Sequence, residues 1–428
     1  MSESSSRSHV IVVGAGLSGL ACSLALIADG NRVTLFESSD RPGGRIKTDI
    51  VDGFRIDRGF QVLLDSYPEA KAQLDLKALQ LRPFEPGARI FTGSTGRFAS
   101  VTDPLRRPWE SLKGLRVASS RDLVAAWRMN SLVRTGAHDA PFNRPETTAL
   151  ARLYAAGFSA TMIETFLRPF YGGVLLDRSL STSSRLLEYY WRYFVEGRAS
   201  LPRLGMEEIP KHLAAKLPSG TLRCSTRVAA TDGNGVTLAD GSRVVADAVV
   251  IATEMDECRR LSHDAVIDQG WRGTVMLAYD APRAPITGAW LILDGTGKGP
   301  INHVAVPSEV SPDYAPEGRS LVYASSCDNT EGDDVAIDTS FRGQLRCWFG
   351  EIVDAWRPIR TMRIRRALPA RYASPFPRDA QLNSHLGGNL FAAGDHLETG
   401  SINGALASGR RAAKDVAAAL ASSYEARE

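Results

Sequence analysis

Cysteine is scarce in this chain, and what there is forms no pattern. The five residues, Cys22, Cys224, Cys258, Cys327 and Cys347, are scattered and odd in number. No Cys-x-x-Cys or Cys-x-x-His spacing occurs, so neither a disulfide framework nor a zinc site is expected, and reduced thiols in a cytoplasm fit best. The seven histidines show no metal-ligand spacing either, and no metal is expected. No run approaches about 18 apolar residues, so no transmembrane helix is expected. Residues 1–9 are polar and Ser-rich, too short and too polar for a signal peptide. Charge of one sign is missing as well: the net charge of +3 over 428 residues is too small to argue for nucleic acid. The length suggests two or three domains, each able to bury its own core.

Glycine, in contrast, is abundant and purposefully placed. An apolar strand, Val10-Ile11-Val12-Val13, runs into Gly14-Ala15-Gly16-Leu17-Ser18-Gly19, and an Ala- and Leu-rich helix follows as far as Asp29-Gly30. A second strand, Val33-Thr34-Leu35-Phe36, ends in Glu37, with Ser38 beside it. Glycine spacing alone is a weak signal; the strand before it, the helix after it and the acid at the next strand end make it a dinucleotide-binding βαβ fingerprint. Gly14 allows the tight turn. Gly16 lets backbone N–H groups approach a pyrophosphate, and Gly19 lets the helix sit close to the sheet. The helix N-terminus turns unpaired N–H groups and its positive dipole end toward the phosphates. Glu37 is placed to accept hydrogen bonds from ribose hydroxyls. On this reading a valine at Gly16 should give colourless, poorly folded protein.

Further along, residues 76–204 read as mainly helical, as in Arg121-Asp122-Leu123-Val124-Ala125-Ala126-Trp127-Arg128. Between 105 and 134 basic residues outnumber acids and sit with Trp109 and Trp127. Such a stretch can lie on a membrane surface, or it is the solvated face of an ordinary helical domain. From about 205 the α/β character returns, with a buried strand, Ala248-Val249-Val250-Ile251, ending at Ala252-Thr253. Residues 264–384 read as an antiparallel sheet. The last part carries the second strong signal: a strand, Asn389-Leu390-Phe391-Ala392-Ala393, ends in Gly394-Asp395, and Gly400-Ser401-Ile402-Asn403-Gly404-Ala405 opens a long helix.

That second helix N-terminus separates FAD from NAD. An NAD enzyme needs one pyrophosphate cradle, whereas FAD adds a ribityl chain and an isoalloxazine ring. Asp395 at a strand end can bind a ribityl or phosphate-adjacent hydroxyl. The helix start at Ser401, Ile402, Asn403 and Ala405 can offer N–H groups to the N1–C2=O edge of the ring, which gains negative charge on reduction.

Gly14 to Gly19, Glu37, Gly43-Gly44-Arg45, and Gly394-Asp395 followed by Gly404-Ala405 and Ser408-Gly409 together resemble the flavin amine oxidase superfamily. That group holds amine oxidases, protoporphyrinogen oxidases, phytoene desaturases and hydroxysqualene dehydroxylases. The resemblance spans essentially the whole chain, with its specific motifs in the nucleotide-binding segments. It implies that Arg45 reaches the FAD phosphates and that Gly43 and Gly44 pass under the flavin. It also implies that Val228 flanks the adenine, that Thr253 sits near the cofactor, and that Asp57-Arg58-Gly59-Phe60-Gln61 borders the ring. The run from Asp57 to Tyr67, and the stretches Phe166 to Gly173 and Gly205-Met206, are similar to the isoprenoid-oxidising branch. Many amine oxidases carry a lysine on a strand of the substrate sheet, holding a water against flavin N5. The comparable strand here, Gly273-Thr274-Val275-Met276-Leu277-Ala278-Tyr279, has none. The departure favours hydride removal from a C–H of a lipophilic substrate, a reaction that needs no strong side-chain base.

The expected fold is α/β: a Rossmann-like FAD-binding domain assembled from residues 1–75, 205–263 and 385–428, and an α+β substrate domain with a mixed or antiparallel sheet and a helical insertion, from 76–204 and 264–384. The expected cofactor is noncovalent FAD, since no cysteine lies near the ring-binding segments. The expected electron acceptor is dioxygen or a quinone. The catalytic group would be the flavin itself, and Gln61, Tyr171, Trp290 and Tyr323 are candidate pocket residues, each with ordinary core packing as its alternative. His396 follows Asp395 and either approaches the flavin or is a surface or loop residue. A hydrogen peroxide-producing amine oxidase and a protein that binds FAD without catalysis are the remaining alternatives, with an NAD-only dehydrogenase behind them.

Overall fold

The computed structural model describes residues 8–102, 118–327, 331–373 and 383–425. Its first core is a six-stranded sheet in the spatial order Leu222–Arg223, Arg32–Phe36, His9–Val13, Ala248–Ile251, Leu390–Ala392 and His385–Gly387. The first five strands are parallel, and His385–Gly387 closes one edge antiparallel. The central strands are fully buried and, apart from His9 at the start of one, continuously apolar, as expected where both faces are covered. Helix Leu17–Ala28 covers one face together with Ile402–Glu425. These two helices come very close at Gly409, where an added Cβ would lie 2.2 Å from the Ser18 carbonyl oxygen. Chain segments some 380 residues apart thus build one layer. Residues Leu222 to Val228, which the sequence pattern reads as one strand, are divided. Leu222–Arg223 joins the parallel sheet, while Val228–Thr231 turns into a separate antiparallel sheet with Gly235–Leu238 and Arg243–Val245.

The second core is a seven-stranded mixed sheet, ordered Arg357–Pro369, Trp271–Ala281, Ser320–Ser326, His303–Ala305, Leu291–Asp294, Gly87–Phe91 and Phe98–Thr102. All its pairings are antiparallel except Leu291–Asp294 with Gly87–Phe91. Two of these strands come from the stretch read as mainly helical. Their signal is local: buried Ala88 and Ile90 alternate with half-buried neighbours, and Gly93-Ser94-Thr95-Gly96 forms the reversal. The helical insertion follows, with Ser120–Arg134, Ala149–Ala156 and Ser184–Glu196 packed together. The α/β class and the mixed sheet with its helical insertion are as the sequence led us to expect. Residues 105–117 of the basic, Trp-bearing stretch, including Arg106, Arg107, Trp109, Lys113 and Arg116, lie outside the described residues.

Candidate functional site

A cavity of about 1220 Å³ runs from the ends of the parallel strands to the face of the seven-stranded sheet. The nucleotide fingerprint lies at one end, and each glycine in it has a distinct physical role. Gly14 sits at φ +101°, and a Cβ there would stand 2.8 Å from the Ala252 carbonyl oxygen. A Cβ on Gly19 would stand 1.9 Å from the Gly14 oxygen, so these two residues serve packing. Gly16 differs. Its backbone is extended, with φ −71° and ψ 178°, and a Cβ there would meet nothing within 4 Å among the described residues. It opens helix Leu17–Ala28 without a side-chain cap and borders the cavity. This is a cradle that a side chain would begin to fill, the shape a pyrophosphate on a helix N-terminus requires.

Glu37 is buried, yet it lines the cavity and is held in place from two sides. Its Oε2 accepts the Ala15 N–H at 2.8 Å, and its Oε1 accepts the Ser39 N–H at 2.9 Å and the Ser39 hydroxyl at 2.7 Å. Lys47 donates to the same Ser39 hydroxyl at 2.8 Å. A carboxylate has about four acceptor sites, so this one retains capacity for a ribose hydroxyl. The loop Gly43-Gly44 is tied to the fingerprint by Gly43 N–H donating to the Ala15 carbonyl at 2.9 Å. Gly44 lies directly beside Gly16, its added Cβ falling 3.4 Å from the Gly16 Cα. Ser38, Val228 and Thr253 complete this end of the wall.

The two ends of the chain meet in the middle of the cavity. Arg45 donates through Nη2 to Asp395 Oδ1 at 2.5 Å and through Nη1 to the Ala367 carbonyl at 2.9 Å. Gln61 donates to the Arg45 carbonyl at 3.2 Å. Gly59, Phe60, Gln61, Gly394, Ser401, Ile402 and Ala405 all line this region. Ser401 accepts the Gly404 N–H through its hydroxyl at 3.0 Å, capping the long helix.

Not every residue singled out from the sequence reaches the wall. Asn403 turns its side chain away, donating to the Tyr189 hydroxyl at 2.7 Å and accepting the Glu69 N–H at 3.0 Å. Of the four pocket candidates, only Gln61 lines the cavity. Tyr171 stacks on Trp191 in the helical core, with centroids 5.3 Å apart. Trp290 is buried with the Arg89 guanidinium 4.3 Å over its ring. Tyr323 accepts the Asp57 N–H at 2.9 Å. Aromatic identity was the only signal for these three, and it does not distinguish core from pocket. Asp57 is likewise a buried hub, accepting from Thr48, Met206 and Tyr314; burial pushes its carboxyl up to about 6. His396 is neither at the surface nor on the wall. It is fully buried under Gly394, neither ring nitrogen has a hydrogen-bond partner among the described residues, and burial holds it down at about 4.

The far end is apolar, with Phe60, Phe170, Val174, Leu291, Leu293 and Phe194 among its lining residues. Two polar residues there, His303 and Ser325, were not anticipated; only their strand neighbours could have flagged them. The cavity lining contains no cysteine and no lysine among the described residues, and Thr274 is the residue that the strand Trp271–Ala281 contributes.

Residues 17–417 match the family model of flavin-containing amine oxidoreductases. The chain belongs to that family. It is an FAD-dependent oxidoreductase. The phytoene dehydrogenase of Streptomyces griseus is 28% identical over 375 residues, covering 76% of this chain and 73% of the relative. The coproporphyrinogen III oxidase of Propionibacterium freudenreichii is 23% identical over 387 residues, covering 74% and 72%. An oxidoreductase from Methanosarcina mazei shares the fold with a TM-score of 0.73 at 16% identity, over 95% of this chain and 100% of that one. Putrescine oxidase in complex with putrescine superposes with a TM-score of 0.70 at 17% identity, over 96% and 99%. No helix among the described residues is long and apolar enough to cross a membrane, and no group of side chains among them could hold a metal ion.

Proposed function

We propose that this flavin amine oxidoreductase removes hydride from a C–H bond of a lipophilic, isoprenoid-like substrate and passes the electrons to dioxygen or a quinone. The observation that carries this is the far end of the cavity: an apolar wall with no lysine, facing the seven-stranded sheet. The similarity to a phytoene dehydrogenase over most of the chain supports the same reading. Bound FAD supplies the hydride acceptor. The chain's own residues have three tasks. Gly16, Gly43, Gly44 and Glu37 hold the nucleotide. Arg45, Asp395, Ser401 and Ile402 fix the cofactor's middle and ring. Phe60, Phe170, Val174 and Leu293 exclude water and orient the donor carbon, so geometry and desolvation do the work that a base does elsewhere. The FAD-binding unit on this reading comprises residues 1–75, 205–263 and 385–428, and the protein is cytoplasmic.

Helix Ser120–Arg134 supports peripheral contact with an anionic membrane, the natural source of such a substrate. Leu123, Val124 and Trp127 are exposed there, with Arg121, Arg128 and Arg134 on the same helix and exposed Tyr154 on its neighbour.

The experiment is anaerobic mixing of the FAD-loaded protein with isoprenoids, porphyrinogens and amines while flavin absorbance is followed. Bleaching by an isoprenoid and not by amines is the expected result. Bleaching by amines alone, with hydrogen peroxide released on admitting air, overturns it.

A further inference from the structure

The substrate end of the cavity holds two buried polar atoms that nothing among the described residues satisfies. Strands Leu291–Asp294, His303–Ala305 and Ser320–Ser326 are neighbours, with Leu293 paired to His303 and His303 paired to Ser325. Residues directly opposite on antiparallel strands project to the same face, and all three line the cavity. His303 is 6% exposed and Ser325 2%. His303 Nε2 and Ser325 Oγ have no hydrogen-bond partner among the described residues.

The protonation of the imidazole follows from its neighbour. Asn302 donates through Nδ2 to the Pro169 carbonyl at 2.8 Å. A carbonyl only accepts, so the amide nitrogen is the end that faces His303, 3.3 Å from Nδ1. Nδ1 therefore accepts, and the proton of the neutral ring resides on Nε2. Burial pushes the ring down to about 4, so it is neutral at pH 7. Phe60 lies against it with centroids 5.1 Å apart, and Gly173 leaves room for it, since a Cβ there would fall 3.3 Å from Nδ1. The result is an N–H donor beside a hydroxyl, in a wall otherwise suited to hydrocarbon.

An unsatisfied buried polar group carries a desolvation cost that no hydrogen bond offsets. Leucine and alanine would fill the same positions of a hydrocarbon site without that cost. We infer that His303 and Ser325 form a specificity pair for an oxygen function, a carbonyl or hydroxyl, on the substrate, which is therefore an oxygenated lipid rather than a bare hydrocarbon. The inference rests on the proposed reading of the cavity as the site of a lipophilic hydride donor. In it the Nε2–H donates to the substrate oxygen, and the Ser325 hydroxyl donates to it or accepts from it.

The test uses the FAD-loaded protein and two probes of equal chain length, farnesol and farnesene, titrated anaerobically against the flavin absorbance band. Wild type should bind farnesol at least tenfold more tightly. His303→Leu combined with Ser325→Ala should bring the ratio near one, with flavin content and farnesene affinity retained. His303→Gln, which restores an N–H donor, should recover part of the preference, a result that a merely structural role would not produce. Equal binding of both probes by wild type overturns the inference and leaves the lipophilic reading standing, a comparison that needs no variant to fold. Survival of the preference in the double variant also overturns it. Failure of both probes to bind overturns the lipophilic reading together with the inference.

Discussion

Arg45 and Asp395 are 350 positions apart in the chain and meet in a 2.5 Å ion pair on the cavity wall. The first follows the Gly43-Gly44 loop, and the second ends a strand near the C-terminus. The guanidinium is about one-third exposed and the carboxylate is 8% exposed, so the pair is screened on one side only. Arg45→Ala leaves a nearly buried carboxylate without its cation and should cost about 1–3 kcal/mol, below the range for fully buried pairs. Thermal unfolding and flavin absorbance per mole of protein should both fall. Asp395→Ala should lose a similar amount. The double variant should lose less than the sum, since each single change already removes the pair.

Gly16 and Gly19 are three residues apart and should respond oppositely to substitution. Gly16→Val places a side chain in open space at an ordinary backbone conformation. The expectation that such a protein folds poorly is therefore revised: it should keep native circular dichroism while purifying colourless. Gly19→Ala sets a methyl group 1.9 Å from the Gly14 carbonyl oxygen and should give largely insoluble protein. Measuring flavin content and far-UV circular dichroism on both separates the pyrophosphate cradle from the helix–sheet contact.

Acid should weaken the fold through two histidines. His303 and His396 are held near 4 by burial, while an unfolded histidine titrates near 6.5. Between those values the unfolded chain binds protons that the folded one refuses. Their contribution is thus present above pH 6.5 and is lost as pH falls toward 4, by about 3 kcal/mol each. Asp57 acts the other way. Its carboxyl is raised to about 6 from 3.8, so its contribution is present below 3.8 and is lost as pH rises through 6. Two groups outweigh one, and the urea midpoint should be lower at pH 5 than at pH 7. His396→Phe should flatten that difference and Asp57→Asn should steepen it.

Vesicle binding should depend on helix Ser120–Arg134. Co-sedimentation with vesicles of mixed phosphatidylcholine and phosphatidylglycerol should drop several-fold for Trp127→Ala combined with Leu123→Ser. Both residues are exposed, so the unfolding temperature should stay within about 2 °C, as for surface changes generally. Equal sedimentation of variant and wild type would assign this helix to ordinary solvated surface.

Local sequence determined the nucleotide end of this protein. A strand, a glycine turn, a helix and an acid follow each other within about thirty residues, and Gly14, Gly16, Gly19 and Glu37 take their roles from backbone geometry alone. The C-terminal strand ending in Gly394-Asp395 was legible for the same reason. What only the tertiary structure decided is the rest of the site. The Arg45–Asp395 pair depends on two distant loops closing over one sheet. The placement of Tyr171, Trp290 and Tyr323 away from the cavity depends on which face of an element meets another element. The pairing of His303 with Ser325 arises from strand register, and neither residue carries a motif. Periodicity records that a residue is buried; it does not record whether its neighbour is another side chain or a cavity, because that is set by contacts between segments far apart in the chain.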